Sequence, residues 1–313
     1  MPLGVYFTGN IVLDTLVRPV EGMPRWGTTT YVESISAHLG GNGAGSSYAT
    51  AMMGVPAKFA GAVGDDQPGA FLIARLRSAG VDVSHLRVFD DTATAATVGM
   101  VHPGGERLFF HDLGACGRFS LEDIPFSPEA VKGCAFFHYA SIFCLPNLRE
   151  NAREVLERAR QAGLRTSLDL DWDASGRWLD DLGPLCPLIE FLFLNVQEAQ
   201  MLCGLEEPEA VGLFFLDRGI QTVILKMGAQ GCAVFTKDDE FRLPAYTVPV
   251  VDTTGAGDSF CGGFLAGLCR GFSLRESARL ANAVAAHGIQ RVGNTDGVVD
   301  YETTRQWMEK FEI

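Results

Sequence analysis

Basic residues are few and nowhere clustered. Lys and Arg number 25 against 38 Asp and Glu in 313 residues, a net charge of −13. Nucleic acid and anionic membranes are gripped by grouped Lys and Arg, so this pattern argues against both partners. An anionic small molecule would have to be held locally, by backbone dipoles or by a metal ion. No apolar stretch reaches membrane-spanning length. The eight cysteines show no C-x-x-C and no close Cys/His spacing. Buried thiols of a reduced, cytosolic protein are therefore favoured over disulfides or zinc. The start of the chain lacks a basic n-region and cleavage site, so a cytoplasmic location is expected. The six histidines have no metal-ligand spacing, and His138, in an apolar run, reads as a satisfied buried histidine. G-x-G-x-x-G is missing after the first strand, because Gly41-Asn42-Gly43 runs into Ala44-Gly45-Ser46. G-x-x-x-x-G-K-[ST] is missing altogether. A dinucleotide oxidoreductase and a P-loop kinase are thereby excluded.

What is present is globular in character, with 47% hydrophobic and 20% charged residues. A chain of this length can bury a large core. Candidate strands are 3–8, 58–63, 135–139, 166–169, 191–194, 222–227 and 231–235. Helical patterns fall near 44–53, 70–79, 148–162, 209–218, 256–270 and 274–291. Alternation of this kind with near-continuous apolar strands implies a parallel sheet covered on both faces. Two segments break the rhythm. Residues 28–36 and 94–111 look like antiparallel strands, the second folded at Pro103-Gly104-Gly105. No linker, repeat or low-complexity run divides the chain.

The densest signal is Asp252-Thr253-Thr254-Gly255-Ala256-Gly257-Asp258-Ser259-Phe260-Cys261-Gly262-Gly263. An apolar, β-branched run, Tyr246–Val251, ends there, and a small-residue turn opens a long apolar helix. Backbone N–H groups bared at a helix N-terminus attract anions. A carboxylate at Asp258 would repel a phosphate unless it takes a proton from whatever attacks that phosphate. Cradle plus base is what phosphoryl transfer to a hydroxyl requires. Taken alone, Asp258 reads better as a helix-capping acid.

These residues resemble the C-terminal signature of the ribokinase-like (PfkB) carbohydrate kinases. Gly9-Asn10 with Asp14, Gly40-Gly41-Asn42-Gly43-Ala44, Gly61–Asp66 with Gly69, Asn195-Val196-Gln197-Glu198 and Gly228-Ala229-Gln230-Gly231 follow in the family's order. The resemblance implies one three-layer αβα domain over residues 1–313, with a central, mainly parallel sheet. A small β-sheet lid would come from about residues 15–36 and 92–113, and lids of this kind pair into homodimers. It implies ATP and Mg²⁺ as cofactors and a small sugar as acceptor. Asp258 would be the general base, with Gly255, Ala256 and Gly257 forming the backbone anion hole. Asp14, Gly40, Gly41 and Asn42 would meet the sugar. Asn195, Glu198, Lys226, Gly228, Gly231 and Asn282 would surround the nucleotide, Glu198 reaching Mg²⁺ through water. Asp252 and Thr253 would border a site for a monovalent cation such as K⁺.

Local readings stand beside these roles. Asn195 and Glu198 form a capping box, Gly228 and Gly231 suit a hairpin turn, and Asp252 suits an Asx turn closing a strand. The chain also departs from the family. Gly45 stands where relatives place a sugar-contacting Asn. Asp169-Leu170-Asp171-Trp172-Asp173 replaces Asp-x-Asn-x-Arg, so an acid occupies the arginine position. These changes argue against an anionic acceptor, with Arg107 and Arg177 read as solvated surface residues. The expected activity is phosphorylation of an unphosphorylated sugar. The alternatives are a nucleoside kinase of the same superfamily and a non-catalytic sugar- or nucleotide-binding homologue.

Overall fold

The computed structural model describes residues 3–104 and 106–311. Its first strands are β1 (Gly4–Thr8), β2 (Val12–Arg18), β3 (Ser34–Gly40), β4 (Ala57–Ala60), β5 (Ala62–Gly64), β6 (Arg87–Phe89), β7 (Ala96–Val101) and β8 (Arg107–Asp112). They are followed by β9 (Cys134–Tyr139), β10 (Arg165–Asp169), β11 (Phe191–Asn195), β12 (Thr222–Lys226), β13 (Cys232–Phe235) and β14 (Glu240–Leu243). The helices are α1 (Asn42–Met52), α2 (Gln67–Ser78), α3 (Pro146–Glu150), α4 (Ala152–Gln161), α5 (Trp178–Leu182), α6 (Val196–Cys203), α7 (Pro208–Leu216), α8 (Ala256–Cys269), α9 (Leu274–Gly288) and α10 (Tyr301–Met308). None of these helices is long and apolar enough to cross a membrane.

Eight strands form the central sheet in the order β14-β13-β12-β11-β10-β9-β1-β4. It is parallel from β4 to β12, with β13 and β14 antiparallel at one edge. Val5, Tyr6 and Phe7 are completely buried, as a strand covered on both faces requires. Connections from β1 run one way to β4 and the other way through β9 to β12. With right-handed crossovers this places α1 on the face opposite α4, α6 and α7. The direction changes beside β1, and such a switch opens a crevice at the carboxyl ends of the strands.

A second sheet, β3-β2-β7-β8, carries the remaining long strands. Its segments differ from the sequence expectation. Residues 28–33 are irregular, β2 starts at Val12, and β2 pairs with β7 in parallel, so the sheet is not wholly antiparallel. Pro103 and Gly104 lie in the turn joining β7 to β8, and Gly105 lies outside the described residues. The register sorts this sheet into two faces. His38, Asp14, Thr97 and His111 align in one cross-strand row, while Ile35, Val17, Met100 and Leu108 align on the other side.

Two other expectations are corrected. The helical pattern 148–162 is broken at Asn151, whose backbone leaves the helix at φ −108° and ψ 13°. Residues 246–251 form no strand, because Pro249 lacks the N–H a ladder needs and the segment walls a cleft instead. All eight cysteines are unpaired.

Helix α8 lies between α1 and α9, and its glycines explain how closely. A Cβ on Gly262 would meet the Ser46 carbonyl oxygen at 2.6 Å and the Ala49 Cβ at 2.7 Å. A Cβ on Gly263 would meet the Ala281 Cα at 3.0 Å. The Thr50 hydroxyl donates across the first seam to the Gly262 carbonyl at 3.0 Å. Backbone contact of this kind leaves no room for a side chain. Gly262→Val should therefore lower the unfolding free energy by about 1–3 kcal/mol through overpacking. Urea denaturation checks this, and an unchanged midpoint would show that the helices are not in backbone contact.

Candidate active site at the N-terminus of a buried helix

The Asp252–Asp258 turn hangs on Asp252. Its Oδ1 accepts from the Thr254 N–H at 3.0 Å and the Thr254 hydroxyl at 2.8 Å, and its Oδ2 from the Gly293 N–H at 3.0 Å. Arg107 of β8 adds an ion pair at 3.0 Å and donates to Thr253 and Thr254 at 2.9 and 2.7 Å. Burial acts to raise the Asp252 pKa, but these hydrogen bonds and the guanidinium hold it below the usual carboxylate range. Arg107 is thus a docked side chain, not the solvated surface residue its sequence context suggests. The carboxylate is already engaged by four donors, so any role of Asp252 and Thr253 toward K⁺ falls on their main-chain oxygens.

Gly255 is the N-cap of α8 at φ 72°, a left-handed conformation that favours glycine. The Ala256 N–H turns back onto the Thr253 carbonyl at 3.2 Å and so belongs to the turn itself. Among the described residues the N–H groups of Gly255, Gly257 and Asp258 have no protein acceptor. The bared amides are therefore those of 255, 257 and 258, with Ala256 corrected from donor to spacer. They stand at the positive end of a 14-residue helix.

One side of this turn opens on a cleft of about 490 Å³. Asn195, Lys226, Gly228, Gly231 and Asn282, all expected near a nucleotide, line it together with Thr253 and Gly257. Val248, Ala285, Ala286 and Ile289 give it an apolar wall suited to a flat ring system. These wall residues escape motif reading, although 282, 285, 286 and 289 share one face of a helix by spacing alone. The amide of Asn282 donates to the Pro244 carbonyl at 3.1 Å and braces the loop opposite.

Lys226 marks the cleft's charged end. Its Nζ pairs with the buried Asp169 at 2.6 Å and would lie 3.3 Å from a Cβ on Gly257. Burial works against its charge, yet Asp169 prevails and keeps the ammonium protonated. Glu198 does not line the cleft. It closes the capping box, accepting from the Asn195 N–H at 2.7 Å while the Asn195 side chain accepts from the Glu198 N–H at 2.8 Å. Burial, only partly offset by Lys226, pushes its carboxyl up to about 7.

The Asp258 carboxyl turns to the other side. It is 6% exposed, and Asn294 Nδ2 donates to its Oδ2 at 2.6 Å. Burial, then the charge of Asp169, pushes its pKa up to about 6. The expected acceptor residues gather here. Asp14 is pushed up to about 6 as well, by burial and by the charge of Asp258. Gly40 makes way for it, since a Cβ there would lie 2.1 Å from Asp14 Oδ2. Gly41 caps α1, and the Asn42 N–H donates to Asn10 Oδ1 at 2.7 Å. Ser141, at φ 60°, donates to the same oxygen at 2.9 Å, so Asn10 fixes the floor where β1 and β9 end.

The acidic replacement at Asp173 has its own partner. Arg149 grips it with two nitrogens at 2.8 and 3.0 Å and also pairs with Asp181. His138 is fully buried, its Nδ1 2.8 Å from the Ser167 hydroxyl, and burial lowers its pKa to about 4. Its ring packs edge-on against Phe7 and Phe193.

Comparison with known proteins fits this geometry. A family model described as pfkB family carbohydrate kinase matches residues 8–300. An aminoimidazole riboside kinase of Salmonella typhimurium is 31% identical over 267 residues, covering 81% of this chain and 82% of the relative. A 2-dehydro-3-deoxygluconokinase of Thermoproteus tenax is 30% identical over 268 residues, covering 83% and 82%. The structure of Arabidopsis thaliana ribokinase complexed with ribose and ATP superposes with a TM-score of 0.85 at 23% identity, covering 100% of both chains. The chain therefore belongs to the pfkB family of carbohydrate kinases and is a sugar or nucleoside kinase.

Proposed function

We propose that the chain transfers the γ-phosphoryl group of ATP to a hydroxyl of a small, uncharged sugar, with Asp258 as general base. The observation that carries this reading is the division of labour around one turn. Gly257 and Lys226 line the cleft, while the Asp258 carboxylate lies against Asn294 and Gly45, near enough to Asp14 to raise its pKa. A nucleotide entering the cleft would bring its phosphates to the N–H groups of Gly255, Gly257 and Asp258. Such preorganised donors are worth about 10²–10³ in rate each. The acceptor hydroxyl, held by Asp14 above Gly40, Gly41 and Asn42, would surrender its proton to Asp258 as it attacks phosphorus.

The Arabidopsis ribokinase structure holds ATP, and a ribokinase-fold neighbour from E. coli holds ATP with Mg²⁺. Carboxylates beside Lys226 suit a hard cation of this kind. Mg²⁺ would be held chiefly by the phosphates, with Glu198 reaching it through water, and would neutralise phosphate charge. The four-stranded sheet would act as the lid, with Arg107 tying it to the turn.

An uncharged acceptor is favoured because both cations at the acidic stretch are already committed, Lys226 to Asp169 and Arg149 to Asp173 and Asp181. A nucleoside acceptor is the second reading, supported by the aminoimidazole riboside kinase among the relatives. ADP release measured across pentoses, hexoses, ketoses, sugar acids and nucleosides, with and without K⁺, separates these classes. Turnover confined to sugar acids or sugar phosphates would refute the uncharged acceptor.

Asp258→Asn should lower kcat by about 10²–10⁴ while calorimetry still registers nucleotide binding. Near-wild-type turnover would remove Asp258 as the proton acceptor. The pH profile carries a sign. A base must be unprotonated, and burial pushes the Asp258 and Asp14 pKa values up to about 6. So kcat/KM should be level above that pH and fall about tenfold per unit below it. A profile without an acid limb would contradict the assignment.

The outer face of the lid exposes Ile35, Val98, Leu108 and Phe110 at 67%, 38%, 47% and 53%, too much apolar surface to leave in water. We propose that a second copy covers it. Phe110→Asp should convert a dimer to a monomer in sedimentation velocity, and a wild-type monomer would end the proposal.

A further inference from the structure

The missing side chain at position 45 and the carboxamide at position 294 occupy one place. A Cβ on Gly45, in the first turn of α1, would lie 2.5 Å from Asn294 Oδ1 and 2.9 Å from Asp258 Oδ2. A Cβ on Gly255 would lie 2.4 Å from Asn294 Cγ. Asn294 is thus wedged between the starts of α1 and α8, beside the proposed base, in the space that a residue at 45 would otherwise fill.

Its two ends behave differently. Nδ2 donates to Asp258 at 2.6 Å. Oδ1 is buried and has no hydrogen-bond partner, in a residue only 4% exposed. A buried acceptor left unpaired is costly, so such groups are rare and call for a donor. Of the groups packed against it, the ionised Asp258 only accepts, the Gly45 N–H is bound to the Gly41 carbonyl at 2.8 Å, and the uncommitted Gly255 N–H makes no hydrogen bond to it.

The loop that delivers Asn294 is secured on both sides. The Gly293 N–H is bound to Asp252 at 3.0 Å. Asp296 is bound by His38 of the lid at 2.8 Å and by Arg75 of α2 at 3.1 Å. The carboxamide is therefore presented by a fixed scaffold, not by a free tail.

We propose that Asn294 is a substrate-positioning residue. Nδ2 orients the Asp258 carboxylate, and Oδ1 accepts a hydrogen bond from an acceptor hydroxyl neighbouring the one phosphorylated. Gly45 is the vacancy that makes this possible, so that a carboxamide from the loop after α9 takes over a place otherwise reached from α1. The acceptor recognised is a polyol with a second hydroxyl next to the reacting one. This rests on the phosphotransfer reading above.

Three variants test it: Asn294→Ala, Gly45→Asn, and the double exchange Gly45→Asn with Asn294→Gly. Each is assayed for acceptor KM, kcat and the pH profile of kcat/KM, with folding checked by thermal melting. Asn294→Ala should raise the acceptor KM about tenfold or more through the lost hydrogen bond. It should also move the acid limb upward by roughly half a unit to one unit, because a donor to an ionised carboxylate lowers its pKa. Gly45→Asn alone should be impaired by collision with Asn294. The double exchange should recover at least about tenfold over that single variant, a non-additivity expected only of groups in contact. With a deoxy acceptor lacking the neighbouring hydroxyl, Asn294→Ala should still shift the acid limb but leave the acceptor KM unchanged.

An unmoved acid limb together with an unmoved acceptor KM in Asn294→Ala overturns the proposal. So does a double exchange no better than Gly45→Asn, whether from inactivity or from failure to fold. A wild-type protein that phosphorylates no sugar or nucleoside fails earlier, at the phosphotransfer reading itself, and is told apart by that result.

Discussion

A single carboxylate ties together three segments that are distant in sequence. Asp252 binds its own turn through Thr254, the loop after α9 through Gly293, and the four-stranded sheet through Arg107. Without it, the free amides of 255, 257 and 258 would have no fixed direction, and Asn294 no fixed approach to Asp258. Both the proposed cradle for phosphate and the orientation of the proposed base descend from this node. It also sets a mechanical link, because Arg107 of the four-stranded sheet reaches the turn by leaning on the same acid. On the proposed reading, closing the lid and completing the anion site would be the same contact, which suits a reaction that must keep water from the transferring group.

The buried charge around the site is unbalanced. Asp14, Asp258 and Glu198 are all pushed upward by burial, to about 6, 6 and 7, while Lys226 is the one ammonium among them and is paired with Asp169. In a chain of net charge −13 this surplus cannot be what draws in a nucleotide. Attraction has to come from neutral dipoles, aligned by the helix and aimed by the turn, and from the cation that accompanies the phosphates. On the proposed reading, Asp14 and Asp258 serve the other half of the reaction, where an alcohol must lose a proton. Raised acids are suited to that task, since a base with a pKa near the working pH takes up a proton more readily than an ordinary carboxylate.

The sequence was most legible where function is written contiguously. Asp252 to Asp258 sit in one turn, the Asn195–Glu198 capping box forms as its spacing implies, and five of six expected nucleotide residues share a cleft. Apolar strands buried on both faces were equally plain. Half-buried ones were not. β2 carries Asp14, Thr15 and Arg18, and β14 alternates exposed Glu240 and Arg242 with buried Phe241 and Leu243, so neither stands out as an apolar run. Tyr246–Val251 misled in the opposite sense, being β-branched yet unable to pair. Contacts between distant segments left no local trace. Asn294 lies in a Gly-Asn-Thr-Asp-Gly stretch that by composition is only a turn, and Arg107 lies in an exposed-looking strand whose register alone turns it inward.

The same contrast bears on how the pocket was read from its departures. Position 45 and position 173 both lack the side chain that a motif leads one to expect, and from sequence each reads as a change in the polar groups around the pocket. In three dimensions each is compensated from elsewhere: Asn294 arrives beside Gly45, and Arg149 neutralises Asp173. The two compensations differ in consequence. Arg149 is consumed by its ion pairs and offers nothing to a ligand, so the change at 173 subtracts a charge from the pocket's surroundings. Asn294 keeps one acceptor atom unspent beside the base, so the change at 45 alters which polar atom is offered and not whether one is offered. A missing motif residue thus says little about specificity until the atoms that fill its volume are known, because a close-packed interior seldom leaves such a volume empty.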